Sequence, residues 1–413
     1  MARYAPAGLT AREIRTIHAP IGKALTLPAR AYASEDFFAL EVERIFKCHW
    51  MAISHEVTVA RPGDVRPIEL CGVPLVVVRG DDGRVRVFHN ICPYDGCPVA
   101  LEAKTGLEEI VGYYHGWRYD LRGRLVAAPY WGGSPTDGPA VLGRNEGDLA
   151  EVRSETRLGV VFVNLDGRAP PIDDHLAPLR TLLAEYDLDG LVQVEDDSVL
   201  ARDGRFVQAN WKTYLENAAI NILHESFTHE SYRRSPEVPR VKDGKPTFFL
   251  DVEGPLLAFG YDLADVARTY DSGGATPHIG RSAPPTKGYF ITLYPNIVIP
   301  IRWNVMRLNI VLPQAPNRTR LLHCGYFSPK APVHPDFPDY QKRVASSYRE
   351  VYREDQVAIE AVQKGRGSPV WQQHYYAPFW DELHYRLNRL VARDVARAAA
   401  RRKKAQAKRR RRR

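Results

Sequence analysis

The chain has 413 residues, 44% of them apolar and 26% charged, a balance that leaves room for two hydrophobic cores and excludes a disordered or fibrous class. It contains no apolar run of about eighteen residues or more, and Met1-Ala2-Arg3-Tyr4-Ala5-Pro6 starts no apolar leader, so neither a membrane span nor a secretory signal is supported and a cytoplasmic location is expected. The formal net charge of +8 belongs to the end of the chain: ten of the thirteen residues 401–413 are Lys or Arg, and removing them leaves −2, which excludes a nucleic-acid-binding body.

In chain order, residues 1–44 read as an N-terminal lead-in that ends in a helix. Phe38, Val42, Ile45 and Phe46 recur at helical spacing behind Ser34, an N-cap candidate. From residue 57 the rhythm changes to short β-type runs parted by turn residues: Val57–Ala60, Ile68–Val78 and Val85–Phe88, with Asp81-Asp82-Gly83 as a hairpin signal between the last two. Further strands are predicted at 110–113, 123–126 and 158–164, so residues 45–165 form a small antiparallel β unit. The five cysteines, Cys48, Cys71, Cys92, Cys97 and Cys324, are odd in number and scattered, which argues against a disulfide framework and for reduced thiols.

Two loops of this unit carry the first chemical signal: Asn90-Ile91-Cys92-Pro93-Tyr94-Asp95-Gly96-Cys97 and Gly112-Tyr113-Tyr114-His115-Gly116-Trp117-Arg118-Tyr119-Asp120. In order and spacing they resemble the Rieske iron–sulfur domain of ring-hydroxylating oxygenase large (alpha) subunits, whose [2Fe–2S] cluster takes two cysteines on one iron and two histidines on the other. Cys92 and His115 stand at matching ligand positions, whereas Tyr94 replaces the first-loop histidine and Gly112 the second-loop cysteine. Glycine has nothing to ligate with, and a phenol with a pKa near 10 is a poor substitute for imidazole. Cys97 is a conceivable replacement, although it lies in the same loop as Cys92 and reads more simply as a small packed residue. The expectation is a Rieske-like fold whose [2Fe–2S] cluster is absent or incomplete.

Residues 166–200 pass from a Pro-rich, acidic linker to an amphipathic helix at 176–186, and strand-like segments follow at 192–195, 198–200 and 205–209. The next stretch, Glu216-Asn217-Ala218-Ala219-Ile220-Asn221-Ile222-Leu223-His224-Glu225-Ser226-Phe227-Thr228-His229, places two histidines five apart. On one α-helix, residues 224 and 229 lie roughly 140° apart, so their imidazoles converge on one ion only if the helix ends or bulges between them. Together with Asn210-Trp211-Lys212 the stretch resembles the mononuclear-iron segment of the same oxygenases. That resemblance makes His224 and His229 iron(II) ligands and sets Asn217 and Asn221 among the catalytic residues. The family usually has a carboxylate where Asn221 stands, bridging the iron histidine to a Rieske histidine of a neighbouring subunit; an amide carries no charge for that role.

A facial triad also requires a carboxylate. Asp355 in Tyr352-Arg353-Glu354-Asp355-Gln356 matches the family's C-terminal helix, with Glu354 and Glu360 as alternatives. Strand alternation at 289–299, 303–313 and 318–327 predicts a sheet behind the site, and Tyr232, Phe259, Ile291 and Trp303 are candidates to line an apolar substrate cavity. The Gly-, Ser- and Pro-rich segment 265–288 suits a loop near its mouth.

The resemblance implies an α+β protein: an all-β Rieske-like domain, then a catalytic domain at 166–392 with a helix-covered antiparallel sheet of the SRPBCC or Bet v1 type, and a basic tail at 393–413. The tail reads as a solvated appendage, a polyanion or acidic-lipid contact being the alternative. The implied activity is Fe(II)-dependent hydroxylation or oxidative demethylation of an aromatic or other apolar small molecule. Because Tyr94, Gly112 and Asn221 all fall on one electron route, electrons are expected from an external ferredoxin and reductase or a Rieske-containing partner subunit, in an oligomer of trimeric type. The competing expectation is a catalytically silent paralogue serving a functional large subunit.

Overall fold

The computed structural model describes residues 8–142, 147–194, 204–230, 240–263 and 276–410. They divide into two compact units, Trp50–Ile172 and the combination of Met1–His49 with Asp173–Arg413. The first unit holds three antiparallel sheets. β1 (Met51–His55), β10 (Val160–Val163) and β9 (Ser154–Arg157) form one; β2 (Val65–Leu70), β3 (Val73–Arg79), β4 (Val85–His89) and β8 (Glu151–Val152) form the second; β5 (Glu109–Val111), β6 (Arg118–Asp120) and β7 (Leu125–Ala127) form the third. Two sequence expectations are corrected here. Ile68–Val78 is a hairpin rather than one run, because Cys71 and Gly72 take positive φ (51° and 79°) and reverse the chain, pairing Leu70 with Val73. Val57–Ala60 is not a strand: residues Glu56–Val59 wind into a 3₁₀ turn in which the Thr58 hydroxyl donates to the His55 carbonyl. The Asp81-Asp82-Gly83 hairpin joins β3 to β4 as expected.

The N-terminal segment is not a separate lead-in but part of the second unit. Its helices are α1 (Ala11–Ile17), α2 (Arg30–Ala33) and α3 (Glu35–Glu41); the Ser34 side chain caps α3 by accepting from Phe37 N–H, and the chain continues through a π-type turn, Val42–Phe46. α4 (Ile172–Leu182) opens the main body. An eight-stranded antiparallel sheet then runs in the order β11 (Val192–Val194), β20 (Arg318–Phe327), β19 (Met306–Ala315), β18 (Ile297–Ile301), β17 (Lys287–Leu293), β16 (Leu256–Asp262) and β15 (Phe249–Glu253), with β12 (Arg205–Val207) also on β20, while β13 (Val241–Lys242) and β14 (Lys245–Pro246) pair only with each other. α5 (Trp211–Ala219) packs on β17 to β20, α7 (Phe337–Arg366) packs on α5, and α8 (Glu382–Arg410) packs on β16. The architecture is thus α+β, with the helix-covered sheet expected for the catalytic domain. The expected strand at 198–200 and residues 265–275 of the expected loop lie outside the described residues. Among the described residues, no helix is long and apolar enough to cross a membrane.

α5 is fixed by buried charge. Lys212 Nζ lies 2.6 Å from Glu41 Oε1 with both side chains fully buried. One turn on, Glu216 accepts from Tyr32 Oη (2.7 Å) and pairs with Arg366 Nη1 (2.6 Å) and His384 Nε2 (3.0 Å). Burial works to raise the Glu216 carboxyl, but Arg366 and His384 outweigh it and hold it well below the usual range. A depressed carboxyl contributes stability that is complete above the unfolded value of about 4.3 and disappears as pH falls through the folded value. Glu216→Gln is therefore expected to lose about 3–5 kcal/mol at neutral pH, with the deficit shrinking as pH drops from about 5 to 3. Urea titrations of both proteins across that window check it; a deficit independent of pH would refute the linkage.

Candidate metal centre

Asn210 caps α5 by accepting from Lys212 N–H (3.1 Å), and the helix ends at Ile220, where φ and ψ become −126° and −43°. Asn221 is extended; residues Ile222–His224 form a 3₁₀ turn, Glu225–Thr228 the short α6, and His229 is again extended. These breaks remove the roughly 140° offset of a continuous helix and turn both imidazoles to one point. His224 Nε2 and His229 Nε2 are 3.3 Å apart, and Asp355 Oδ1, brought in by α7, lies 3.5 Å from the first and 3.2 Å from the second. Bonds of about 2.1 Å to one octahedral face put the ligand atoms about 3.0 Å apart, so this triangle of two neutral-capable nitrogens and one carboxylate oxygen fits an Fe(II)-type ion. Among the described residues, these three form the one group of His, Cys, Asp or Glu so convergent.

The surrounding groups aim the triangle. Asn221 acts through its backbone, whose carbonyl accepts from His224 Nδ1–H. His229 Nδ1–H donates to Glu354 Oε2 (2.9 Å), and Asn217 Nδ2 donates to Asp355 Oδ1 (2.8 Å). Burial tends to raise the Asp355 carboxyl, but the two imidazoles hold it well below its ordinary value; burial likewise tends to lower His229, and Asp355 and then Glu354 reverse that and raise it. Of the three candidate carboxylates, Asp355 meets both histidines. Glu354 sits behind His229, and Glu360 is turned away to accept from Gln208 N–H and Gln356 Nε2. Glu354→Ala is expected to weaken Fe(II) binding about 10- to 100-fold by freeing the His229 ring, and Glu354→Gln, which keeps an acceptor, by less. Chelator competition measures both; unchanged affinity in Glu354→Ala would sink this role.

The cavity beside the triangle has an apolar side formed by Phe259, Phe290 and Pro300. Phe259 and Phe290 pair in register and stack at 4.9 Å. Of the four residues expected to line it, Phe259 does. Ile291 is fully buried one position beyond Phe290, on the opposite face of β17, and Trp303 lies in the β18–β19 turn away from the lining. Tyr232 lies outside the described residues. Among the lining residues that the sequence reading missed are Phe290, Pro300, Arg302, Asn309, Tyr348 and Tyr352. The register Phe259–Phe290–Pro300, which selects the cavity face, depends on strand pairings that a single sequence does not display.

In the β unit, the two loops that resemble Rieske cluster loops meet through their own side chains. Cys92 is buried, and its Sγ accepts from Tyr119 Oη (3.3 Å). His115 Nδ1 lies 2.6 Å from Asp95 Oδ2. The Tyr94 ring stacks on Trp117 (5.2 Å, 8° between planes) and meets His115 and Trp131 edge-on. Cys97 takes part by its backbone, its carbonyl accepting from Cys92 N–H (2.8 Å). These loops offer Cys92 and His115 to a cluster that needs four ligands, and Tyr94 and Gly112 do not fit the other two places.

Comparison with known proteins matches residues 49–136 to the Rieske [2Fe-2S] domain and residues 184–397, more than half of the chain, to the ring hydroxylating alpha subunit (catalytic domain). The glycine betaine monooxygenase oxygenase subunit of Chromohalobacter salexigens is 33% identical over 192 residues, which are 46% of this chain and only 40% of that one. The carnitine monooxygenase oxygenase subunit of Escherichia coli K12 is 27% identical over 346 residues, 83% of this chain and 84% of that one. A solved quaternary ammonium Rieske monooxygenase in complex with L-carnitine superposes with a TM-score of 0.71 at 21% identity, over 92% of this chain and 98% of that one, a likeness of fold. The chain belongs to the Rieske non-haem iron oxygenase alpha subunits, a family that uses a mononuclear iron and a Rieske cluster.

Proposed function

We propose that this chain is a mononuclear Fe(II) oxygenase that hydroxylates or oxidatively demethylates a small molecule with O2, drawing its electrons from another protein. The observation that carries the reading is the triangle of His224, His229 and Asp355 at the side of a partly open, mostly apolar cavity. Iron held there would supply the activation of O2. The chain's own residues bind and aim it: Asn217 holds the Asp355 carboxylate, Asn221 and Glu354 hold the imidazoles, and Phe259, Phe290 and Pro300 keep water from the reacting end of the substrate.

The electron source follows from the loops. With Tyr94 packed on Trp117 and no side chain at Gly112, the reading is that no complete [2Fe–2S] cluster assembles in this chain. A ferredoxin and reductase, or a Rieske-containing partner subunit in an oligomer of the family's kind, would then serve the iron. Relatives act on glycine betaine and carnitine, so these join aromatic compounds as first substrates to test. The test is substrate-dependent O2 uptake by the iron-loaded chain with ferredoxin and reductase, with product labelled from isotopic O2. Failure of the chain to retain iron would overturn the proposal.

A further inference from the structure

Two polar side chains of the cavity wall are organised on one imidazole. His323 on β20 stands directly across from Asn309 on β19, and its Nδ1 bonds the Asn309 Oδ1. An amide oxygen can only accept, so Nδ1 carries the hydrogen and donates it. Tyr352 on α7 has its Oη 3.3 Å from the same nitrogen. With its hydrogen in place Nδ1 has no lone pair left, so the phenol cannot donate to it, and Oη also accepts from the Arg307 guanidinium. Burial pushes the Tyr352 phenol up to about 12, so at neutral pH it keeps its proton.

Two donor ends are left over. The Tyr352 O–H and the Asn309 NH2 have no acceptor among the described residues, although both residues line the cavity and both are anchored to His323. Asn309 is only 4% exposed, and a buried donor without an acceptor is destabilising until a ligand supplies one. The pair belongs to the same sheet face as the apolar side: Asn309 pairs with Val298, two residues before Pro300, and Pro300 pairs with Phe290. It also stands beside the metal centre, because Tyr352 precedes Asp355 by three residues on α7, a spacing that sets the two Cβ atoms about 5–6 Å apart.

We infer that the substrate carries an uncharged carbonyl oxygen, of a ketone or amide, which accepts from the Tyr352 hydroxyl and the Asn309 amide while its apolar part lies against Phe259 and Phe290. Both donors are neutral, so the oxygen they hold needs no charge, and burying one here would cost more than these bonds return. What happens to the bound molecule rests on the oxygenase reading; the recognition itself needs neither iron nor O2. The test is calorimetric titration of the full chain, iron-free and Fe(II)-loaded, with acetophenone and cyclohexyl methyl ketone, each against the hydrocarbon that has C=CH2 in place of C=O, and with benzamide and benzoate. The ketones are expected to bind about 10- to 100-fold more tightly than their hydrocarbon partners in both preparations, as two neutral hydrogen bonds require. Tyr352→Phe keeps the ring and should cut that ratio about 3- to 10-fold while leaving hydrocarbon affinity unchanged, which a merely structural loss would not do. Asn309→Asp keeps an acceptor for His323 but turns an acceptor to the cavity, and should remove the rest of the preference. Equal affinities within the pairs, failure of all the carbonyl compounds to bind, binding of benzoate alone, or a ratio unmoved by Tyr352→Phe would overturn the inference. So would a preference seen only with Fe(II), which would mean that the oxygen binds the metal instead. Ketone binding without turnover would leave the inference standing and count against the oxygenase reading alone.

Discussion

Anaerobically purified chain is expected to contain a single iron and no acid-labile sulfide, and Tyr94→His combined with Gly112→Cys to acquire the visible absorption and reduced-state paramagnetic signal of a Rieske cluster. Both exchanges are sterically allowed. Gly112 does not have the positive φ that would demand glycine, and a Cβ added there meets Trp117 O at 3.4 Å, an ordinary contact. Tyr94 is about half exposed (48%), so replacing it removes a ring stack worth about 0.5–1.5 kcal/mol without opening the core. Cys92 and His115 already stand on the two loops, and the Tyr119 hydroxyl already donates to the Cys92 sulfur. Each single substitution leaves one iron short of a ligand, so neither alone should gain a stable cluster. Sulfide at two per chain in the unmodified protein would refute the reading of these loops, and would make Cys97 the residue to test next.

Much of this was legible in the sequence for identifiable reasons. The helix at residue 35, the Asp81-Asp82-Gly83 hairpin and the long strands after residue 287 are written in local signals: a serine cap, a turn pair and strict alternation. His224, His229 and Asp355 were legible because their spacing follows a family pattern, although helix geometry alone argued against the two histidines until the chain broke at Ile220. What stayed hidden depends on pairing between distant segments. Ile291 and Phe290 are equally apolar, and only their register with Phe259 and Pro300 assigns one to the packed face and the other to the cavity. Arg302, just past the end of β18, and Asn309, inside β19, were invisible for the same reason, since a polar residue in or beside a strand reads as surface until the sheet is laid out. Glu354 resembled a third ligand because it adjoins Asp355, yet neighbours on a helix point about 100° apart, so one carboxylate meets both imidazoles and the other the back of His229.

The larger effect on activity is expected at Asp355. Asp355→Ala should eliminate O2-dependent turnover and lower Fe(II) affinity by more than the roughly 100-fold upper end expected for the second-sphere change at Glu354, because it removes a donor atom and the only anion among the three ligands. Asp355→Asn separates those contributions: it retains an oxygen donor of similar reach but no charge, and should bind more Fe(II) than the alanine variant while remaining inactive. Asn217→Ala leaves all three donors in place and removes the 2.8 Å bond that orients the carboxylate, so its loss should be intermediate and should appear in metal affinity as well as rate. Iron content after dialysis against a chelator, and the electron paramagnetic resonance of the nitric oxide adduct, rank the variants without reliance on turnover. The order expected is wild type above Asn217→Ala, then Asp355→Asn, then Asp355→Ala. If Asp355→Ala retained iron as the wild type does, the third ligand would have to be sought elsewhere, and Glu354, already 2.9 Å from the His229 ring, could reach the metal only by giving up that bond.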